Sequence, residues 1–197
     1  MTKTQRPLLK ISATLLNSWA YIYKAKEGYE EKAYNDFVSY LNREPMEPNF
    51  FMQRGIDFEE ACIEGKVPGI SEIVKDGVYQ AFFYKDIDLG DYEVRLLGYL
   101  DVLKEGKIYD IKRVSRYEKP KYYDSYQHHI YMELVEEAQE FTYLIGAGNK
   151  TVDIYTETYR RDEVTSIIPV IKQFYKWLED HNLFEIYLKN YNIGEKR

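Results

Sequence analysis

Residues 98–113, GYLDVLKEGKIYDIKR, have the pattern of a β-hairpin with apolar residues in both strands. The pair Glu105-Gly106 in the middle supplies the turn signal. A turn centred there places Leu103 opposite Ile108 and Asp101 opposite Asp110. Opposite residues have Cβ atoms about 5 Å apart, and two like charges at such positions destabilise a hairpin. The two carboxylates therefore need an explanation.

A bound divalent cation gives one explanation, because it turns two repelling carboxylates into two ligands. Hard oxygen ligands suit Mg²⁺ or Mn²⁺. The alternative is a solvent-exposed face on which Lys112, two residues after Asp110, offsets one charge. The metal site is the preferred interpretation, and the alternative stays open.

Apolar periodicity around the hairpin predicts an α/β fold. The elements expected before it are helices over 11–28, 29–42 and 49–65, capped by Ser12 and Asn49 where the sequence offers caps, and a strand around 78–86. The elements expected after it are a helix from about Asp124, a second hairpin over 141–159 turning at Gly148-Asn149, and a helical segment over 162–191 that is interrupted or kinked at Pro169. This order predicts a central mixed sheet with helices on both faces.

Length and composition favour one soluble domain over residues 1–197, with helical segments at 11–45 and 162–191. The hydrophobic share of 45% and charged share of 30% are ordinary for a globular protein. No apolar run reaches the roughly 18 residues that span a membrane, and the start lacks a signal-peptide pattern, so a cytoplasmic location is expected. The single Cys62 excludes a disulfide framework and a four-cysteine metal cluster, and is expected to be buried.

The charge pattern bears on nucleic-acid binding. A net charge of −6 argues against a general electrostatic hold on nucleic acid, but KRVSRYEKPK, residues 112–121, is strongly basic and directly follows the hairpin. The 21 tyrosines could include stacking platforms for bases, although most are expected to pack in the core or on its surface.

Several residues stand out in the helices. Gln127 falls on the inward stripe one turn before Tyr131, and a buried amide needs a partner. Gly55, inside the third helix, suggests close approach to another element, and Glu59 lies four residues further on the same side. Two neighbouring histidines, His128 and His129, point away from the inward stripe and are expected in solvent.

Taken together, Gly98-Tyr99-Leu100-Asp101, Asp110-Ile111-Lys112 and Gln127-x-x-x-Tyr131 resemble the motifs of the PD-(D/E)XK nuclease superfamily. The likeness extends to its RecB-type and phage lambda-type exonucleases and CRISPR adaptation nucleases. RGIDFEEA, residues 54–61, resembles their first motif, and ISATLLNSW, residues 11–19, the opening helix of RecB-type members. Leu100 replaces the proline of the name. The missing cysteines imply a branch without an iron–sulfur cluster, of phage or mobile-element origin.

The resemblance implies a restriction-endonuclease-like αβββαβ core and a role for each motif residue. Asp101, Asp110, the Ile111 carbonyl and Glu59 would bind one or two Mg²⁺ or Mn²⁺ ions, with Glu60 as the alternative to Glu59. Lys112 would orient or deprotonate the attacking water and stabilise charge on the phosphate, and Gln127 and Tyr131 would position Lys112 and the phosphate. The residues expected to contact the DNA backbone are Arg54, Arg113, Arg116, Lys119 and Lys121.

The implied function is a divalent-metal-dependent deoxyribonuclease, an exonuclease of recombination or repair. Its partners would be DNA and a single-strand annealing or recombination protein. Two alternatives keep the same fold: a structure-specific endonuclease and a catalytically idle nucleic-acid-binding module. A third is an assembly protein that holds a metal only for stability. The residues do not indicate strand polarity or oligomeric state.

Overall fold

A computed structural model describes residues 6–47 and 49–194, so the expectation about the first residues of the chain lies partly outside it. The helices and strands follow in the order β1 (Leu8–Ile11), α1 (Ala13–Lys24), α2 (Glu30–Leu41), α3 (Phe50–Ile63), α4 (Ser71–Val74), β2 (Val78–Asp88), β3 (Glu93–Lys104), β4 (Lys107–Val114), α5 (Lys119–Tyr123), α6 (Gln127–Leu134), β5 (Glu140–Ala147), β6 (Asp153–Arg160), α7 (Ile168–Asp180) and α8 (Phe184–Tyr191).

The strands in the described part of the chain form a mixed six-stranded sheet flanked by helices, which confirms the predicted α/β fold. The sheet runs β1-β3-β4-β5-β6, and β2 pairs with β3. Pairing is parallel between β1 and β3 and between β4 and β5, and antiparallel between β3 and β4 and between β5 and β6. None of the described helices is both long and apolar enough to cross a lipid bilayer.

Contacts gather the described residues into two compact units. The helical unit contains the described residues of Met1–Pro45, Tyr84–Gly98 and Ser166–Arg197. In it, rings from α1, α2 and α7 form an aromatic core, with Trp19 5.4 Å from Phe174 and Phe37 5.5 Å from Trp177 between centroids. The helices α1, α2, α7 and α8 of the predicted terminal segments thus belong to one unit, while the single domain over 1–197 stays a prediction.

The hairpin unit contains Met46–Phe83 and Tyr99–Thr165. Register pairs Ile111 with Leu144, and both pack with the buried Cys62 of α3 on one face of the sheet. Side chains alternate along a strand, so Phe141 points to the other face, where its ring lies 5.9 Å from that of Tyr131 on α6. Helices therefore cover both faces of β4 and β5.

The hairpin between β3 and β4 has the predicted turn. Glu105 and Gly106 both have positive φ, 50° and 71°, as a two-residue turn between twisted strands requires. The strands pair from Lys104–Lys107 through Leu103–Ile108 to Val102–Tyr109, in the expected register.

Two local expectations are corrected, and one strand lies outside the predicted elements. Pro169 does not interrupt a helix but lies in the first turn of α7, where a missing N–H costs nothing. The break comes after α7 instead, at Asn182 with φ 58°. The turn of the second hairpin is a longer loop over residues 148–152, because Ala147 pairs with Asp153. Strand β1 was not predicted, since four residues are too short for a periodic signal.

Candidate active site

Asp110 lies at the centre of the candidate site, in β4, with no exposed surface. Its Oδ1 accepts a hydrogen bond from Nε2 of Gln127, the first residue of α6. The other oxygen, Oδ2, lies 2.6 Å from Nζ of Lys112, yet the alignment is not that of a hydrogen bond. The buried carboxylate thus keeps one oxygen that only an ammonium neutralises.

Burial and the neighbouring charges shift the pKa values of Asp110 and Lys112. Burial raises the pKa of Asp110 to about 7, against the lowering effect of Lys112 and with a further rise from Asp101. For Lys112, burial lowers the pKa, but Asp110 and Asp101 outweigh it and the net direction is upward. Because the Lys112 side chain is 36% exposed, its ammonium can turn towards solvent or a ligand while Asp110 cannot.

Asp101 meets β4 in an unexpected way. Its Oδ2 accepts the backbone N–H of Ile111 at 2.8 Å. If the antiparallel pairing continued beyond Val102–Tyr109, that N–H would donate to the carbonyl oxygen of Leu100. The carboxylate of Asp101 takes the place of this carbonyl. Burial raises the pKa of Asp101, while Lys112 and the Ile111 N–H lower it.

Glu59 of α3 approaches the same cluster. Burial and the Asp101 carboxylate raise its pKa, and Lys112 acts in the opposite direction. Its Oε1 accepts a hydrogen bond from Nε2 of Gln80 on β2. Glu60, the alternative, is exposed. Gln80 was not among the predicted site residues. Its φ of 50° is unusual for a non-glycine residue. The feature of the sequence that could have indicated it is a single amide side chain in a strand rich in aromatic residues.

The position of α3 depends on close packing against β5. A Cβ added to Gly146 would lie 2.3 Å from Cζ of Phe58, so only glycine lets this ring rest on the strand. Nothing lies within 4 Å of the Cβ position of Gly55, so the expected close approach at Gly55 is wrong. The close approach occurs one turn further along α3, at Phe58. There the glycine that permits it is Gly146 of strand β5, not a residue of the helix.

Two of the arginines expected at DNA are held by backbone carbonyls at the end of β5. Arg54 donates to the Gly148 carbonyl at 2.5 Å, and Arg113 donates to the Gly146 and Gly148 carbonyls at 2.9 and 2.7 Å. The other basic residues of this stretch, Arg116, Lys119 and Lys121, are exposed. Their side chains can reach a ligand without breaking such bonds.

Helix α6 holds the cluster from the other side. Gln127 contacts Asp110, not Lys112, because α6 lies against β5 and its first residue reaches across to β4. The Tyr131 hydroxyl donates to the carbonyl of Tyr99 on β3 at 2.8 Å. That Gln127 and Tyr131 position Lys112 and the phosphate stays a prediction; their hydrogen bonds in the structure go to Asp110 and to β3.

The expectation of solvent exposure is wrong for His128. It is buried and stacks on Tyr159 of β6, with centroids 4.1 Å apart, because α6 covers β6 as well as β5. Burial, with His129 nearby, lowers the pKa of His128 to about 3, so the ring is neutral at pH 7. His129 is only partly exposed, and its Nδ1 lies 2.9 Å from the Thr165 carbonyl oxygen.

The residues present fit a divalent cation that keeps much of its own hydration. Within residues 6–47 and 49–194, no three Asp, Glu, His or Cys side chains stand ready as a metal site. However, Mg²⁺ is commonly held by one or two carboxylates, several waters and a substrate phosphate. The unaligned Oδ2 of Asp110 and the neighbouring Asp101 supply two such carboxylates.

Comparison with known proteins supports the fold only. No protein-family model matches the chain, and no curated protein matches its sequence. Among solved structures, LHK-Exo, an alkaline exonuclease from Laribacter hongkongensis, matches with a TM-score of 0.53 and 16% identity, over 91% of each chain. A protein designated SSO0001 matches with a TM-score of 0.50 and 14% identity, over 91% of this chain and 80% of its own. The chain therefore shares the fold of this alkaline exonuclease, which agrees with the fold implied by the resemblance to the PD-(D/E)XK nuclease superfamily.

Proposed function

We propose that this protein is a divalent-metal-dependent deoxyribonuclease that acts as an exonuclease. The observation that carries the proposal is the cluster of Asp101, Asp110 and Lys112, in which a fully buried carboxylate faces an ammonium at 2.6 Å. Ionisable side chains with strongly shifted pKa values cluster at the active sites of enzymes. The exonuclease LHK-Exo, which shares the fold, supports the reaction class. The setting in recombination or repair and an annealing-protein partner rest on the sequence resemblance alone.

Asp101 and Asp110 would hold one or two Mg²⁺ or Mn²⁺ ions, with Glu59 and the Ile111 carbonyl as further oxygen ligands. When bound, the cation would activate water and neutralise charge on the phosphate. Gln127 fixes the Asp110 carboxylate from α6, and Asp101 is fixed by the Ile111 N–H. Both carboxylates are therefore oriented before a ligand arrives, which lowers the cost of binding it.

Lys112 would stabilise negative charge on the phosphate in the transition state. The sequence left two roles open for it, orienting or deprotonating the water. Its raised pKa favours the protonated form at neutral pH, and an ammonium donates hydrogen bonds but cannot accept a proton. Electrostatic stabilisation of the phosphate, with water orientation by the same ammonium, is the role consistent with this charge state.

The path of the DNA backbone would follow the exposed basic residues Arg116, Lys119 and Lys121. Arg54 and Arg113 would add positive potential from their positions at the end of β5, where their hydrogen bonds already go to carbonyls. A basic stretch beside the site would attract phosphates in spite of the net negative charge.

A second candidate is a nucleic-acid-binding module without hydrolytic activity. One observation favours it: the described residues hold no ready group of three metal-binding side chains. A structure-specific endonuclease would use the same residues as an exonuclease and differ only in its need for a strand end.

Purified protein should be incubated with end-labelled linear DNA and with closed circular DNA, with Mg²⁺ or Mn²⁺. An exonuclease degrades only the linear form, whereas a structure-specific endonuclease also opens a closed circle that carries the DNA structure it recognises. Lys112→Ala should abolish cleavage but retain DNA binding. The matched control is Lys107→Ala, also on β4 and paired with an acid, Glu140, at 2.8 Å; it should cleave normally. Binding without cleavage of either DNA by wild type would favour the idle module.

A further inference from the structure

Two exposed aromatic rings contact each other in the hairpin unit. Phe82 of β2 and Tyr99 of β3 have ring centroids 4.9 Å apart, tilted by 42°. Phe82 is 48% exposed and Tyr99 58%. Both rings thus keep much of their surface in water, where an additional flat apolar group could cover it.

The aromatic pair adjoins the candidate active site along both strands. Tyr99 lies two residues before Asp101, and side chains two residues apart point to the same face, about 7 Å apart. On β2, Phe82 lies two residues after Gln80, which donates to Glu59. Burial alternates along β2, with Gln80 and Phe82 both on the exposed side. Each strand therefore carries one residue of the site and, one pleat away, one ring.

The pair is held in a fixed relation to the buried carboxylate. The Tyr131 hydroxyl binds the Tyr99 carbonyl at 2.8 Å, and Gln127 of the same helix binds Asp110. Helix α6 therefore ties the backbone under the Tyr99 ring to the residue at the centre of the site. A group stacked on these rings would have a defined position relative to Asp110.

We propose that Phe82 and Tyr99 form a stacking platform for an unpaired nucleobase next to the phosphodiester that is cleaved. This inference rests on the proposed nuclease function and specifies its substrate as a strand with an unpaired end. Every base has a π-face that can stack on an aromatic side chain without sequence preference. A base inside a duplex has both faces covered by its neighbours and can use the platform only after it leaves the stack, whereas an unpaired base at a strand end has a free face.

The alternative is a cross-strand aromatic pair that only stabilises the β2–β3 pairing. Such a pair would affect the melting temperature but not the recognition of bases. Binding of a single-stranded oligonucleotide should therefore be compared with that of the same oligonucleotide lacking its bases, by fluorescence anisotropy in Ca²⁺. The proteins are wild type, Phe82→Ala, Tyr99→Ala and the control Tyr21→Ala, which removes an exposed ring of α1 in the helical unit.

Phe82→Ala and Tyr99→Ala should each weaken binding of the base-containing strand by about 5- to 150-fold, the range found for loss of one stacked base. Binding of the abasic strand should change little, and Tyr21→Ala should bind both strands like wild type. If a variant fails to fold by thermal melt, Phe82→Leu replaces it, since leucine keeps apolar bulk but has no ring to stack.

The platform is overturned if wild type does not distinguish the two strands, or binds neither, or if both ring variants keep the wild-type ratio. This outcome is separate from the test of hydrolysis. Cleavage with no preference for bases would refute the platform and leave the nuclease intact. Base-dependent binding without cleavage would support the platform and refute the nuclease.

Discussion

Asp110→Asn should stabilise the metal-free protein at neutral pH. Burial raises the pKa of Asp110 from its ordinary 3.8 to about 7, so the folded protein holds this proton more tightly than the unfolded chain does. Between these two values, stability falls as pH rises, because the folded state binds more protons than the unfolded state. The cost is absent below about pH 4 and complete above about pH 7. Asparagine, which carries no charge, avoids it.

The size of the effect follows from the pKa difference. Each unit of difference between the folded and unfolded pKa values corresponds to about 1.4 kcal/mol. The charged Asp110 therefore costs the folded state at most about 4 kcal/mol above pH 7. The value of about 7 already includes the attraction of Lys112, so the gain is expected to be on the order of a few kcal/mol. Gln127 can still donate to the asparagine Oδ1, and the partly exposed Lys112 keeps Asp101 as a neighbouring charge or turns towards water, so its ammonium is not left buried without a partner.

The assay is urea denaturation of both proteins in a chelator, at intervals from pH 4.5 to pH 8. Asp153→Asn, an exposed aspartate of β6 in the same unit, is the control and should differ little from wild type at every pH. The Asp110→Asn protein should match wild type near the acidic end and exceed it at pH 8. Equal or lower stability of the mutant at pH 8 would refute the argument that burial of this carboxylate is costly.

Three further outcomes are expected. Mg²⁺ or Mn²⁺ should raise the melting temperature of wild type and much less that of Asp110→Asn, since a ligand bound only by the native state stabilises it; an equal rise in both would exclude Asp110 as a ligand. Gly146→Ala should destabilise by roughly 1–3 kcal/mol in denaturant melts, because its Cβ would meet Phe58, whereas unchanged stability would show that α3 can move. Replacing Lys119 and Lys121 by alanine should lower the salt slope of DNA binding by about 1 per lost phosphate contact, and an unchanged slope would place the DNA elsewhere.

The sequence could predict most of the elements because their signals are local. Ser12 accepts from the Leu15 N–H and Asn49 from the Phe51 and Met52 N–H groups, as expected of N-caps. The Glu105-Gly106 turn fixed the hairpin register in advance, and register decides which residues share a face. The sequence alone could therefore predict that Asp101 and Asp110 lie close together.

The partners of the polar residues could not be predicted, because they depend on packing between elements distant in sequence. Nothing near Gln127 indicates that its amide reaches Asp110, and nothing near Glu59 indicates Gln80. The same holds for Arg113, which the charge pattern assigns to DNA and the fold assigns to carbonyls of β5. The local sequence around an arginine in a basic stretch is the same whether its guanidinium binds DNA or a backbone carbonyl.

His128 shows a related limit of helical periodicity. A stripe drawn through Gln127 and Tyr131 assigns one inward face, but α6 lies over both β5 and β6, so a wider arc of the helix is covered. His128 on that arc stacks on Tyr159 and is buried. How wide an arc is buried depends on the sheet beneath, which the helix sequence does not contain.

The dependence of catalysis on Asp110 and on a metal ion can be measured as hydrolysis of linear DNA by wild type and Asp110→Asn, each in Mg²⁺ and in chelator. The quantity measured is the rate of nucleotide release at saturating enzyme. We expect release only by wild type in Mg²⁺, because only there are the cation and its buried carboxylate ligand both present. Equal release in chelator, or by Asp110→Asn in Mg²⁺, would contradict a metal-dependent site at Asp110.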